Sequence, residues 1–479
     1  MIPLQINFKS DSFIAASSLT APIFFSVLGL LWIISPGIFE ANQLAWSTVV
    51  LLVTNIMVWV RARQQIEILG LLPQLAVLML WCMPALHYWL VEHHPGIMKT
   101  PMAVDAGFYF SVALPGVLSL CWAYFLPFPV LKTAGDLRAT LHAALVQVGS
   151  SPLIMSTLAL LCLFGFYGAA VILPSWMQFL GTICRSLLYV LMLVAVFQPA
   201  LRGRYLWLGG LTVLVLTELI RSTMFGELIS LLAILMLYAV FIRQWSVWKI
   251  VAAQMVFALL LYWLLAFKFE YRKMAAKQDG FGERAVGLLA SAVHPLQHPV
   301  SPKILDVVVS RLNQGHLMSL ALRYVPAQHP FVHGETIVTA VKGALVPRLL
   351  WPDKPRAGGV ENIKRFMGVE NLDHSINLGV VGEAYVNYST GAAFALFLIC
   401  YVLFFRLMLF WMVHQSKVFP FVLLLMPSLF FMVNFVENDV AIMLNHVVKQ
   451  VMILVILRFA MCGWNADDAD AGQRGFKTD

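Results

Sequence analysis

Charge is scarce in this chain. Aspartate, glutamate, lysine and arginine make up 12% of its 479 residues, against roughly a quarter in soluble domains. That shortage excludes a water-soluble globular protein, because hydrophobic residues reach 60% and gather in long uncharged runs that a soluble core does not need. Cysteine is sparse as well. Cys82, Cys121, Cys162, Cys184, Cys400 and Cys462 all lie inside or at the ends of hydrophobic runs, and none has CxxC spacing. Disulfide staples and zinc sites are therefore not expected. No repeat period marks a solenoid. The net charge of +8 comes without any basic-aromatic recognition motif, so nucleic acid is not an expected partner. Basic residues crowding cytoplasmic loops account for the sum. No cleavable signal peptide is apparent, since the first apolar run, from about Ser18 to Pro36, is long enough to remain as a span.

What is present is a series of about twelve apolar runs. A run of about 20 residues crosses the roughly 30 Å hydrocarbon layer as a helix. The runs fall near 18–36, 43–60, 68–90, 105–127, 151–174, 179–199, 205–221, 224–242, 247–267, 390–413, 419–436 and 440–462. With the N-terminus and Lys9 placed in the cytoplasm, the inside loops carry Arg61 and Arg63, Lys132 and Arg138, Arg202 and Arg204, Arg243 and Lys249, and Lys417. Arg458 and the tail with Arg474 and Lys477 also fall inside. The short outside loops carry almost none, Lys99 excepted, which sets the orientation. The chain divides into a transmembrane bundle over 1–267 (about nine spans), a long outside loop over 268–380, about three further spans over 381–463, and a cytoplasmic tail over 464–479.

The loop holds 14 of the 32 basic residues and six of the twelve histidines. Such a length without structure would be unusual, so short helices are expected inside it. Over 336–349, Ile337, Val341 and Leu345 recur at helical spacing with Val338 and Leu349 beside them. They form one apolar face, suited to lying on the membrane surface or capping the bundle. Pro347 fits a helix stop.

Ionisable groups inside spans are costly and mark sites or mutual pairs. Arg185 sits seven residues into its run; Glu218, Arg221 and Glu227 lie where two short runs meet outside. Glu218 and Arg221, three apart, share a helix face. His446 and Lys449 lie in the last run, with Glu437 and Asp439 just before it. Neutralised pairs stabilising bundle contacts are one reading. Convergence below the loop is the other, since the arginine fork suits a pyrophosphate.

The loop segment from Arg311 to Asn387 is the most specific part of the chain. It contains PFVHGE from Pro330 to Glu335, the block PRLLWPDKP from Pro347 to Pro355, and GEAYVN from Gly382 to Asn387. With Arg311, these resemble the Wzy-type oligosaccharide repeat-unit polymerases, which build O-antigen and related exopolysaccharides. IRSTMFGELIS, around Arg221, looks like a degraded form of that family's arginine-containing membrane segment, with Ser222 where a glycine often stands. The likeness covers roughly 80 loop residues and the general span layout.

The resemblance implies an all-α polytopic membrane protein with about twelve transmembrane helices, GT-C-like, in a bacterial inner membrane, with both termini cytoplasmic and one large, partly helical periplasmic loop. It implies transfer of a growing glycan on undecaprenyl diphosphate to the next lipid-linked unit, with no cofactor and no metal. Departure of the diphosphate calls for positive charge, and the acceptor hydroxyl needs a base. Arg221, Arg185, Arg311, Arg323, Arg348 and Lys354 are candidates for the first task, Glu383 or His316 for the second, and Asn387 for sugar hydroxyls. The implied partners are an undecaprenyl-diphosphate-linked oligosaccharide and membrane lipid, and a chain-length-regulating co-polymerase is left open. An O-antigen ligase shares the layout and donor, but the PRLLWPDKP block favours the polymerase. A flippase or transporter would place charge along a central cavity between repeated halves, whereas here the halves are unlike. A purely structural scaffold would have no need of several arginines at one depth.

Overall fold

The computed structural model describes residues 10–40, 42–63, 65–127, 134–174, 177–222, 226–275, 286–287, 291, 302–346, 350–351, 353–355, 360–369, 377–430, 432–452, 454–455 and 458. Every regular element among them is helical. Seven helices are long and apolar enough to cross a membrane: Gln43–Ala62, Ile68–His93, Ala106–Phe125, Pro152–Ile172, Gln178–Phe197, Val247–Arg272 and Ala392–Gln415. Thr20–Ile34, Leu228–Arg243 and Val440–Met452 are shorter apolar helices. The two remaining runs also become helical. Arg204–Ser222 carries Arg204, Glu218 and Arg221. Val422–Phe430 has nine residues, about 13 Å at the α-helical rise. This is a helical membrane protein.

One further helix, Ala134–Ser150, occupies a stretch expected only as an inside loop. Leu137, Leu141, Ala144, Leu145 and Val148 recur at helical spacing and are buried against the bundle. Its apolar face is too narrow for a span, yet packs as a surface helix should.

The long loop folds into helices at Pro302–Leu312, Gln314–Tyr324, Glu335–Leu345 and Val360–Met367. The Glu335–Leu345 helix stops two residues before Pro347. The Gly379–Tyr388 helix comes next and lies inside the bundle rather than on it. Residues Gly379 to Asn387 are all buried. A Cβ added at Gly116, midway along Ala106–Phe125, would sit 2.6 Å from Val381 Cγ1. The missing side chain at Gly116 is what lets this short helix reach the middle of a span.

Candidate functional site

Two helix N-termini meet in the buried heart of the protein, and each is capped by a carboxylate from the other. Four orphan N–H groups begin every helix and favour negative charge. Gly379 N, opening the Gly379–Tyr388 helix, donates to Asp439 Oδ1 at 3.1 Å. Val440 N, opening the last apolar helix, donates to Glu383 Oε2 at 2.7 Å. Val380 N also donates to Val436 O at 3.1 Å. Gly379 adopts φ +76°, and a Cβ there would lie 2.5 Å from Val436 O. Only glycine combines that conformation with that approach.

The loop completes the arrangement. Thr336 Oγ1 donates to Glu383 Oε1 at 2.8 Å, and Asn362 Nδ2 donates to Asp439 Oδ2 at 3.0 Å. Asn387 Nδ2 donates to Thr336 Oγ1 and to Glu383 O, both at 2.7 Å, while Asn387 Oδ1 accepts from Gly334 N at 2.9 Å. Glu383 and Asp439 are 1% and 2% exposed, yet both line an open cavity of about 440 Å³. The Glu335–Leu345 helix forms one wall, and Ala441, Ile442 and Asn445 of the last helix form another. Lys342, Lys354 and Arg365 bring cations to the lining. Arg365 Nη1 and Nη2 donate to Glu335 Oε1 and Oε2 at 2.6 and 2.8 Å, a bidentate pair. Lys354 Nζ donates to Val346 O at 3.0 Å.

Burial, joined by repulsion from Asp439, holds the Glu383 carboxyl well above the usual carboxylate range; Val440 N–H and the Thr336 hydroxyl oppose the shift. Burial also raises Asp439, against hydrogen bonds from Asn362, Gly379 and Leu378. Two such carboxyls titrate as a pair. At the mouth the direction reverses: the hydrogen bond from Arg365 draws Glu335 downward. This arrangement can take or give a proton beside a rim of mixed charge, where Lys342, Lys354 and Arg365 stand with Glu335 and Glu361.

The residues expected from sequence divide among several places. Glu383 and Lys354 line the cavity. Asn387, expected to meet sugar hydroxyls, is wholly buried; its amide holds Thr336 and the turn at Gly334, so it positions the site. His316, the other candidate base, lies elsewhere. Its ring stacks on His87 with centroids 6.3 Å apart, and burial lowers its pKa. Arg311 does not line the cavity; it acts on the half-buried Glu437, whose carboxyl burial raises while Arg311 and Lys268 pull against that rise. Arg323 is exposed at the end of Gln314–Tyr324. Arg348 lies outside the described residues.

Arg221 and Arg185 converge, but on Glu218 and not on the cavity. Arg221 Nε donates to Glu218 Oε2 at 3.0 Å and its Nη2 to Phe166 O at 3.0 Å. Arg185 Nη1 lies 3.9 Å from Glu218 Oε1. The two guanidiniums sit over the rings of Phe166 and Tyr167 at 5.0 and 5.3 Å. This ion-pair cluster, two guanidiniums on one carboxylate, ties three helices together.

Sequence reasoning did not single out Arg365, Thr336 or Asn362, and it noted Asp439 only as a charge ahead of a span. Thr336 stands at the start of the stretch whose periodicity predicts the Glu335–Leu345 helix, but the apolar spacing says nothing of its role. Nothing local pointed to Arg365, whose carboxylate partner lies thirty residues away. Among the described residues, no group of three or more His, Cys, Asp and Glu side chains is placed to hold a metal ion.

Residues 146–403 match the family model of a domain of unknown function, DUF8712. The match covers more than half of the chain, which therefore belongs to that family. It includes the whole loop and Glu383 and stops short of Asp439. No curated protein and no solved structure matches the chain.

Proposed function

We propose that this member of the DUF8712 family is a glycosyltransferase that polymerises undecaprenyl-diphosphate-linked oligosaccharide repeat units. One observation carries the reading. The three blocks that resemble the Wzy-type polymerases are separate in sequence, and each contributes to the same cavity. PFVHGE supplies Glu335, the PRLLWPDKP block supplies Trp351, Lys354 and Pro355, and GEAYVN supplies Glu383.

In this reading the cavity faces the periplasm from a bacterial inner membrane, in a GT-C-like bundle of twelve spans with both termini cytoplasmic. A helix at each of the twelve apolar runs supports the count, and the asymmetry of lysine and arginine supports the orientation.

The acceptor hydroxyl oxygen attacks the anomeric carbon of the donor glycan. The bond from that carbon to the diphosphate breaks, and its electron pair leaves with undecaprenyl diphosphate. The hydroxyl proton passes to the Glu383–Asp439 pair, whose raised affinity for protons suits a base working near neutral pH. Thr336 and Asn387 hold the Glu383 carboxyl in place. Lys342, Lys354 and Arg365 offset the charge growing on the leaving diphosphate. Arg311 and Lys268 add positive charge near Glu437. Arg185 and Arg221 are assigned to bundle packing.

The test is reconstitution in vesicles with an undecaprenyl-diphosphate-linked repeat unit, with and without chelator. A ladder of products that survives chelation is the expected result. Transfer to a lipid A core acceptor, with no ladder, would make the protein a ligase. Movement of intact lipid-linked units between leaflets, again with no ladder, would make it a flippase.

A further inference from the structure

The Glu335–Leu345 helix has two opposed faces, and only one has a role in the cavity. Thr336, Thr339, Ala340 and Gly343 look into the cavity. Roughly half a turn away on the helical wheel, Val338, Val341 and Leu345 form an apolar stripe that is 52%, 42% and 65% exposed. Sequence alone left two uses for such a stripe, the bundle or the membrane surface. Among the described residues, the bundle does not cover it.

Its level in the fold points to the occupant. Gly334, at the helix start, lies against Tyr388, and the Tyr388 ring packs 5.7 Å from Phe397, in the second turn of the Ala392–Gln415 span. Leu396 beside it is 60% exposed, as a lipid-facing residue would be. Ala441 and Ile442, across the cavity, belong to the first turn of the last apolar helix. The helix thus sits level with the ends of two apolar helices. Leu350, 76% exposed, and the partly exposed Trp351 follow at its end; tryptophan favours the headgroup level. Lys342 on the helix and Lys354 at its end, bonded to Val346 O, have stems long enough to reach water from that depth.

We infer that the Glu335–Leu345 helix lies in the plane of the leaflet on the loop side, with Val338, Val341 and Leu345 in hydrocarbon. One helix then separates the cavity from the bilayer, and a lipid-linked molecule reaches Glu383 laterally, past this wall, while its chain stays in the membrane. The membrane contact does not depend on the polymerase reading.

The experiment places a nitroxide label on Val338→Cys, Val341→Cys, Leu345→Cys and the cavity-facing Thr339→Cys, each reconstituted in phospholipid vesicles. Label on the parent protein supplies the background from native cysteines. Collision rates are measured with oxygen, which concentrates in hydrocarbon, and with a water-soluble nickel chelate. The three stripe positions should collide strongly with oxygen and weakly with nickel, and Thr339→Cys should do the reverse. Strong nickel collision along the stripe would overturn the inference. So would weak collision with both reagents together with spin–spin broadening, because a second protein chain would then cover the face. Stripe side chains are exposed, so the variants keep the core intact; Val341→Ser provides a melting-temperature control for folding.

Discussion

Replacing Glu383 with glutamine separates catalysis from stability more cleanly than any other change at the site. Glutamine has the same shape. Its carbonyl oxygen can accept from Val440 N, which leaves its amide to face Thr336 Oγ1. That oxygen already accepts from Asn387 Nδ2, so the Thr336 hydroxyl proton loses its partner. An orphaned hydroxyl costs about 1–3 kcal/mol. Removing a buried carboxyl that repels Asp439 offsets part of this, as when buried charges are replaced. The net change in stability should stay within about 2 kcal/mol. Loss of a general base should slow linkage formation by about 10²–10⁴, or roughly 3–5 kcal/mol in activation free energy. The assay pairs initial rates of ladder growth with thermal melting in detergent. A second signature concerns pH. Glu383 has a folded-state pKa above its ordinary 4.5, so between those values the folded protein holds a proton that the unfolded chain has released. Its stabilising contribution is complete below the ordinary value and is lost as pH rises through the folded one. Glu383→Gln should flatten that slope. A variant that polymerises at the wild-type rate would refute the assignment of Glu383.

Three other outcomes follow from the packing. Gly116→Ala places a methyl group against Val381 and should destabilise the protein by about 1–3 kcal/mol; adding Val381→Ala should restore most of the melting temperature. Gly379→Ala meets both a left-handed φ and the Val436 carbonyl, so it should cost at least about 1–3 kcal/mol in melting experiments and depress activity through displacement of Asp439. The Arg365–Glu335 pair is half exposed, so a double-mutant cycle should give a coupling of about 0–1 kcal/mol that shrinks with salt. Because Arg365 lowers the Glu335 pKa, that contribution is present above the ordinary carboxylate range and is lost as pH falls through the folded value.

The sequence made the membrane class legible because uncharged runs have a length set by the bilayer. It also marked Glu383 and Lys354, which sit in compact blocks with unusual composition. Arg221 and Glu218 could be paired by spacing alone, since three residues on a helix is a contact distance. That Arg185 joins them from another helix is a tertiary fact. Asp439 stood in view as a charge before a span, but its role comes from capping a helix sixty residues earlier in the chain. Thr336 and Asn362 belong to the site for the same reason: loop helices bring them to carboxylates 47 and 77 residues away. His316 packs against His87 and not at the cavity, a placement set by tertiary contacts that its spacing from Arg311 in sequence does not carry. The Ala134–Ser150 helix is written in the spacing of Leu137, Leu141 and Val148, an amphipathic pattern much weaker than the uncharged runs on either side.

The most direct measurement is the balance of products. Purified protein in vesicles would be given a lipid-linked repeat unit, and the undecaprenyl diphosphate released would be counted against the glycosidic linkages formed. Equal amounts of the two, with both lost in Glu383→Gln, are expected of a polymerase acting at this cavity. Intact lipid-linked units that change leaflet while no diphosphate carrier is released would contradict it.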